Sequence, residues 1–167
     1  MSSTWDADDA VTELYAAHYT SLVRLAAMLV RNTAEAEEVV QDAFVAMHGR
    51  WRRLRDVDKG LAYLRQSVVN TARSRLRRRS VEDRHRPAPM PHAASAEHFA
   101  LEHAEHGEVL TALKTLPARQ REAVVLRYYA DLSEADIAAT MGVSRGAVKS
   151  HTSRGMSALR TALEGQS

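Results

Sequence analysis

A chain of 167 residues with 45% hydrophobic residues has room for one domain or two small ones around a real core. The lack of cysteine excludes a disulfide framework and a thiolate metal site, and aromatics at only 5% with 7 Gly and 4 Pro favour helices over a β-rich fold. The net charge of +2 conceals a strong asymmetry: residues 1–49 sum to −6, residues 50–86 to +9 and the remainder to −1. So dense a basic block repels itself unless a polyanion meets it, and nucleic acid is the favoured partner.

The first helix is marked by Val11, Leu14, Tyr15, His18, Leu22, Leu25, Ala26 and Leu29, an amphipathic pattern ending near Arg31. Asn32 or Thr33 can cap the next helix, with Glu35 placed for a capping box. Its buried face is Ala36, Val40, Ala43, Phe44, Met47 and Trp51. A third helix starts after Asp58, buries Leu61, Leu64, Val68, Ala72 and Leu76, and runs out in Arg77-Arg78-Arg79. Residues 10–79 thus form a three-helix unit.

From Ser80 to Ala96 the apolar period disappears and Pro87, Pro89 and Pro91 alternate, which predicts a flexible tether over residues 80–96. Helical pattern resumes near Glu97, and residues 97–164 form a second all-helical unit. Pro117 suits the first turn of a helix whose apolar side is Val124, Val125, Leu126 and Tyr128.

The stretch from Leu132 to Leu163 reads as a helix, a tight turn and a second helix of the kind that enters a DNA major groove. Ser133 and Ser144 are placed to cap the two helices, and Gly142 sits where the chain must leave the first one with positive φ. Ala138 is small where the helices cross. Val148, Thr152, Met156, Leu159 and Leu163 recur on one side, leaving Arg145, Lys149, Ser150, His151 and Arg154 as a donor-rich outer face. An ordinary helical hairpin with a solvated basic face is the bland alternative. Two basic helical modules on one tether can grip two DNA segments, the first contact raising the effective concentration of the second.

The segments AEEVVQDAFVAMHGRW, LAYLRQSVVNTARSRLRRR and LPARQREAVVLRYYADLSEADIAATMGVSRGAVKSHTSRGMSALR together resemble the short bacterial sigma-70 factors. The likeness is to the extracytoplasmic-function (ECF) subfamily, of the actinobacterial SigE-like type. It implies an all-α fold, with the first unit sigma region two and the second sigma region four. It implies RNA polymerase core as partner through the β′ clamp helices and the β flap, and promoter DNA at the minus-ten and minus-thirty-five elements. An anti-sigma factor is a further partner that the resemblance allows. The chain itself would catalyse nothing.

The resemblance places the core-polymerase contact on Glu38, Gln41 and Asp42. Acids near a helix start also complement its dipole, but Asp42 lies well past the first turn. For minus-ten DNA the expected residues are Arg55, Lys59, Gln66, Asn70, Arg73 and Arg77. The last four share the side of the third helix away from its buried stripe, where they can track a phosphate backbone, and Asn70 can meet a base edge. The segment Trp51 to Gly60 matches the family loop that captures a flipped base, although the Trp51 ring reads as core. Arg145, Lys149, Ser150, His151 and Arg154 are the expected minus-thirty-five contacts. Asp131, Asp136, Ala147 and His151 depart from the family's usual Gly, Glu, Thr and Arg, and Gly155 interrupts the recognition helix at a cost of about 1 kcal/mol relative to Ala.

His85, His92, His98, His103 and His106 gather beside glutamates, but their spacing matches no compact ligand set, so no metal and no cofactor is expected. No Gly-rich phosphate loop or nucleophile elbow appears, so no catalytic residue is expected either. The runner-up is a stand-alone repressor or activator, which would not need the acidic helix followed by the arginine-rich one and would normally dimerise. No apolar run can span a bilayer, and Trp5-Asp6-Ala7-Asp8-Asp9 is no signal peptide. The expectation is a cytoplasmic protein without membrane contact, monomeric when not on core polymerase.

Overall fold

The computed structural model describes residues 6–83 and 107–165. Over these it is built of helices alone: α1 (Ala7–Leu29), α2 (Thr33–Leu54), α3 (Val57–Asp83), α4 (107–115), α5 (Ala118–Tyr128), α6 (Glu134–Met141) and α7 (Arg145–Glu164). The five histidines considered above and the proline-rich stretch lie outside the described residues.

Helices α1–α3 pack on one another as the first module. Leu14, Leu22, Leu25 and Leu29 of α1 meet Val40, Ala43, Met47 and Trp51 of α2 and Leu64, Val68 and Ala72 of α3, all buried. Asn32 is the cap of α2, its side chain accepting from the Glu35 N–H at 2.8 Å. Tyr15 departs from its expected place: it is 45% exposed and stacks on Tyr19 with ring centroids 4.3 Å apart. Val39 and Val69, outside the expected stripes, are fully buried.

The corner between α2 and α3 is tighter than expected. Residues through Leu54 stay helical, Arg55 takes a left-handed conformation (φ 48°), and Asp56 precedes α3, its carboxylate accepting from Asp58 N–H at 2.9 Å. A ten-residue loop is thereby reduced to two residues. Gly60 permits this close entry, since a Cβ there would lie 3.0 Å from Leu14 and 3.2 Å from Trp51. At its far end α3 continues through Asp83, four residues beyond Arg79.

In the second module the short helices are fastened at their ends. Pro117 is the residue before α5 rather than its first, a position where its missing N–H is equally harmless. Ser133 and Ser144 cap α6 and α7, accepting from Asp136 N–H and Ala147 N–H at 3.1 Å each. Gly142 leaves α6 with φ 69°, and the N–H groups of Gly142 and Val143 both donate to the Ala138 carbonyl. Ile137, Met141, Val148 and Leu126 close the core beneath the turn.

Three expectations about this module are corrected. Tyr128 is 62% exposed rather than part of the α5 core, and α7 faces its partner through Val148, Gly155 and Leu159, with Thr152, Met156 and Leu163 only partly buried. Gly155 is a contact and not an interruption. A Cβ there would lie 2.6 Å from Val124 and 3.1 Å from the Gln120 carbonyl, so glycine lets α7 lie directly on α5.

The modules touch. Helix α3 packs on α6 and α1 on α5. Lys114 and Arg121 of the second module donate to the Arg31 and Leu29 carbonyls at the end of α1, at 3.0 and 3.4 Å.

Candidate nucleic-acid interface

On α2, Glu38 and Asp42 stand one turn apart with their side chains 64% exposed. Both are held by Arg75 of α3, whose Nη1 donates to Glu38 Oε2 at 2.7 Å and whose Nη2 donates to Asp42 Oδ2 at 3.0 Å. The hydrogen bond to Glu38, reinforced by Asp42, holds the Arg75 pKa above its ordinary value against the opposing effect of burial. The other oxygens of the two carboxylates remain to meet a partner. Gln41 is exposed beside them and hydrogen-bonds Tyr19, whose pKa is raised chiefly by burial. Arg75 is not among the residues that the sequence singles out. Its signal is a charge in register with the buried stripe, seven residues after Val68 and three after Ala72, and register alone does not reveal which acids stand opposite it.

On α3, Lys59, Gln66, Asn70 and Arg77 are exposed along the side opposite Val68. Arg55 sits at the corner with its Nε on the Arg52 carbonyl at 2.8 Å. Arg73 belongs to the same side, but its guanidinium is engaged. Its Nε donates to Glu122 Oε2 of α5 at 3.1 Å, its Nη2 donates to Oε1, and its Nη1 reaches Asn70 Oδ1 at 3.4 Å. The Glu122 side chain is only 4% exposed, and Arg119 stands 3.5 Å from Oε1 on its other side. Arg65, on the flank of α3 facing α6, has its pKa lowered by burial and partly restored by Asp136. The basic side of the first module therefore has one open edge and one edge covered by the second module.

On α7, Lys149, Ser150 and Arg154 are exposed and His151 is half-buried on the flank. Arg145 is exposed at the first turn, with Nε 3.2 Å from Glu134 Oε1. The outer face also carries Gly146, Ser153 and Ser157, small residues that let a surface approach the helix closely. No acidic residue occurs on α7 before Glu164, so the exposed face is uniformly cationic or neutral.

Between the modules lies an apolar cleft of about 580 Å³, walled by Ala27 and Met28 of α1, Leu113 of α4, Val125 of α5 with Tyr129 just after it, and Met156 of α7. Burial raises the Tyr129 pKa, an effect that nearby Arg24 opposes. Among the described residues no group of three metal-ligating side chains gathers, and no helix is long and apolar enough to cross a membrane.

A helical bundle bearing acidic and basic faces, followed by a capped helix-turn-helix, is the architecture of a sigma-70 protein. The chain belongs to that family: Sigma-70 region 2 matches residues 14–81 and Sigma-70, region 4 matches residues 106–159. It is 35% identical to the RNA polymerase sigma-E factor of Streptomyces avermitilis, over 86% of this chain and 79% of that one. It is 32% identical to the ECF RNA polymerase sigma factor SigM of Mycobacterium tuberculosis, over 87% and 72%. In fold it matches the sigma factor RpoE in complex with the anti-sigma factor NepR from Bartonella quintana, with a TM-score of 0.69 and 24% identity over 92% of this chain and 96% of that one. CnrH in complex with the cytosolic domain of CnrY matches with the same TM-score and identity over 96% of each chain. The protein is an RNA polymerase sigma factor of the ECF type, acting in promoter-specific transcription initiation.

Proposed function

We propose that the two modules divide promoter recognition, the first engaging the minus-ten element and the second the minus-thirty-five element. The corresponding units are residues 10–79 with the end of α3 to Asp83, the remainder of the tether up to residue 96, and residues 97–164. Glu38, Gln41 and Asp42 dock on a basic surface of core polymerase, the β′ clamp helices. Arg55, Lys59, Gln66, Asn70, Arg73 and Arg77 follow the minus-ten strand, with Asn70 offering both a donor and an acceptor to a base. Arg145, Lys149, Ser150, His151 and Arg154 meet the minus-thirty-five duplex, where phosphate contacts position the helix and base-edge contacts choose sequence. The apolar walls contributed by α4, α5 and α7 suit an apolar segment of the β flap, and the cleft they share with α1 suits an anti-sigma factor. The chain supplies no catalytic group and no cofactor; bond making belongs to the polymerase. It works in the cytoplasm, away from membrane, as a monomer until core binds it.

The observation that carries this reading is the pairing, in one chain, of an exposed carboxylate pair on α2 with cationic faces on α3 and α7. Run-off transcription with purified core polymerase tests it. Core alone should start nowhere specific and core with this chain should start at discrete sites. Glu38→Lys with Asp42→Lys should abolish capture of core, whereas unchanged pull-down would count against the docking face. Asn70→Ala should lower initiation on duplex promoters and recover in part on a pre-melted bubble. Equal activity on both templates would refute its role.

A further inference from the structure

Arg73 is claimed from two sides: it lies on the side of α3 assigned to DNA, and its guanidinium is spent on Glu122. A carboxylate gripping a guanidinium through both oxygens presents the same geometry and charge as two phosphate oxygens. Glu122 is nearly sealed from solvent, and Arg73 is 20% exposed. While the modules stay packed, a DNA phosphate cannot reach that fork from the Glu122 side. We infer that Glu122 is an internal phosphate mimic, a competitor that keeps Arg73 off DNA until the second module swings away from the first.

Size leads to the same conclusion by an independent route. A chain of this length packs to a radius of gyration of about 15 Å, hence about 40 Å across. Two elements about 25 base pairs apart are separated by about 85 Å along B-DNA. The packed arrangement cannot touch both, so the Arg73–Glu122 contact must break before both are held. The expected tether, which follows the end of α3 at Asp83, is what permits the separation. On opening, Glu122 keeps a cation beside it in Arg119, and Arg73 passes to the nucleic acid. The exchange trades one anion for another, which makes it reversible. This inference rests on the proposed DNA role of Arg73.

The test is anisotropy of a labelled promoter oligonucleotide with the full chain and no polymerase. A closed population lowers apparent affinity by the fraction that is open, so Glu122→Gln should raise affinity about fivefold or more. The gain should vanish in Glu122→Gln with Arg73→Ala. A folded Glu122→Gln variant that binds as wild type does, or one whose gain survives loss of Arg73, would overturn the inference. As a second arm that leaves the pair intact, cysteines at exposed Val45 and Ser157 can carry a donor and acceptor dye, since the chain has no cysteine of its own. Energy transfer should fall as the oligonucleotide saturates, and unchanged transfer would also overturn it. If Arg73→Ala costs no affinity in the holoenzyme, it is the DNA assignment of Arg73 that fails. If it does cost affinity while Glu122→Gln gains none, the competition fails and the assignment stands.

Discussion

The two modules reach stability by different routes, and helix length explains the difference. In the first module the helices run 23, 22 and 27 residues, so most backbone groups pair within a helix and few ends need attention. Its side-chain bonds are free to shape a surface, as Arg75 does with Glu38 and Asp42 and as His48 does with Asp8. In the second module α6 has only eight residues, so about four donors at one end and four acceptors at the other lack helical partners. Side chains are spent there on backbone. Arg119 donates to the Met141 carbonyl at 2.9 Å, and Arg121 spans the Leu113, Lys114 and Leu116 carbonyls at 2.9, 3.1 and 2.8 Å. Burial pushes the Arg121 pKa down, with Glu122 opposing, and the carbonyls are what make a guanidinium tolerable in that place.

The contrast breaks most sharply at two glycines in helix interiors. Gly155→Val pushes a branched side chain into Val124 and the Gln120 carbonyl, and should destabilise the second module by about 3 kcal/mol. Gly49→Ala in α2 meets nothing within 4 Å, and should stabilise the first module by about 0.5–1 kcal/mol through helix propensity. Denaturant melts of the two variants read both signs. A neutral Gly155→Val would mean that α7 does not lie against α5 as closely as described.

Next in size is the bridge on the first module. Arg75→Met removes the clamp while leaving both carboxylates in place. If the clamp presets their geometry, affinity for core polymerase should fall about tenfold, equivalent to about 1.4 kcal/mol. Arg75→Lys, which can reach only one carboxylate well, should fall between. Should Arg75→Met bind core more tightly than wild type, the arginine is a competitor for the carboxylates and the positioning idea is lost.

Caps should give smaller effects that differ in consequence. Ser144→Ala and Asn32→Ala each remove one side-chain acceptor and should each cost about 1 kcal/mol. Only Ser144→Ala frays the turn that carries Arg145 and Lys149, so only it should weaken duplex binding beyond its effect on stability. Equal losses of duplex binding in both variants would erase the distinction between a module that shapes a surface and one that fixes a helix end.

Much of the fold was legible because its rules are local. The α2 stripe, the caps at Asn32, Ser133 and Ser144, and the turn at Gly142 depend on neighbours within a few residues, and all lie where periodicity and capping chemistry put them. What escaped involves two elements at once. Gly155 looked like a helix weakness because its value depends on Val124, and Tyr128 continued an apolar run that the end of α5 turns outward. Arg73 and Arg75 are two positions apart on one helix, yet one reaches Glu122 and the other reaches Glu38 and Asp42. Spacing distinguished the sides of α3 but could not say what would stand opposite each. Gln66, Asn70, Arg77, Lys149, Ser150 and Arg154 are exposed as expected, since that depends only on facing away from a stripe.

The smallest expected effect lies at Asp131, where the family's usual residue is glycine. Its backbone is left-handed, φ 54°, between the end of α5 and the cap of α6. An aspartate tolerates that region better than most residues because its short side chain can bond locally, but its Cβ still crowds the following carbonyl. Glycine would remove that crowding and add freedom to the unfolded chain, two effects of opposite sign. The first should win, because the strain is confined to the native state. Asp131→Gly should therefore raise stability by about 0.5 kcal/mol, seen as a melting shift of a few degrees in the second module. Asp131→Ala, which keeps the Cβ and loses the carboxylate, should lower it. If alanine proves as stable as glycine there, the left-handed turn before α6 is not where this module carries its strain, and the short helix owes more to its packing than to its ends.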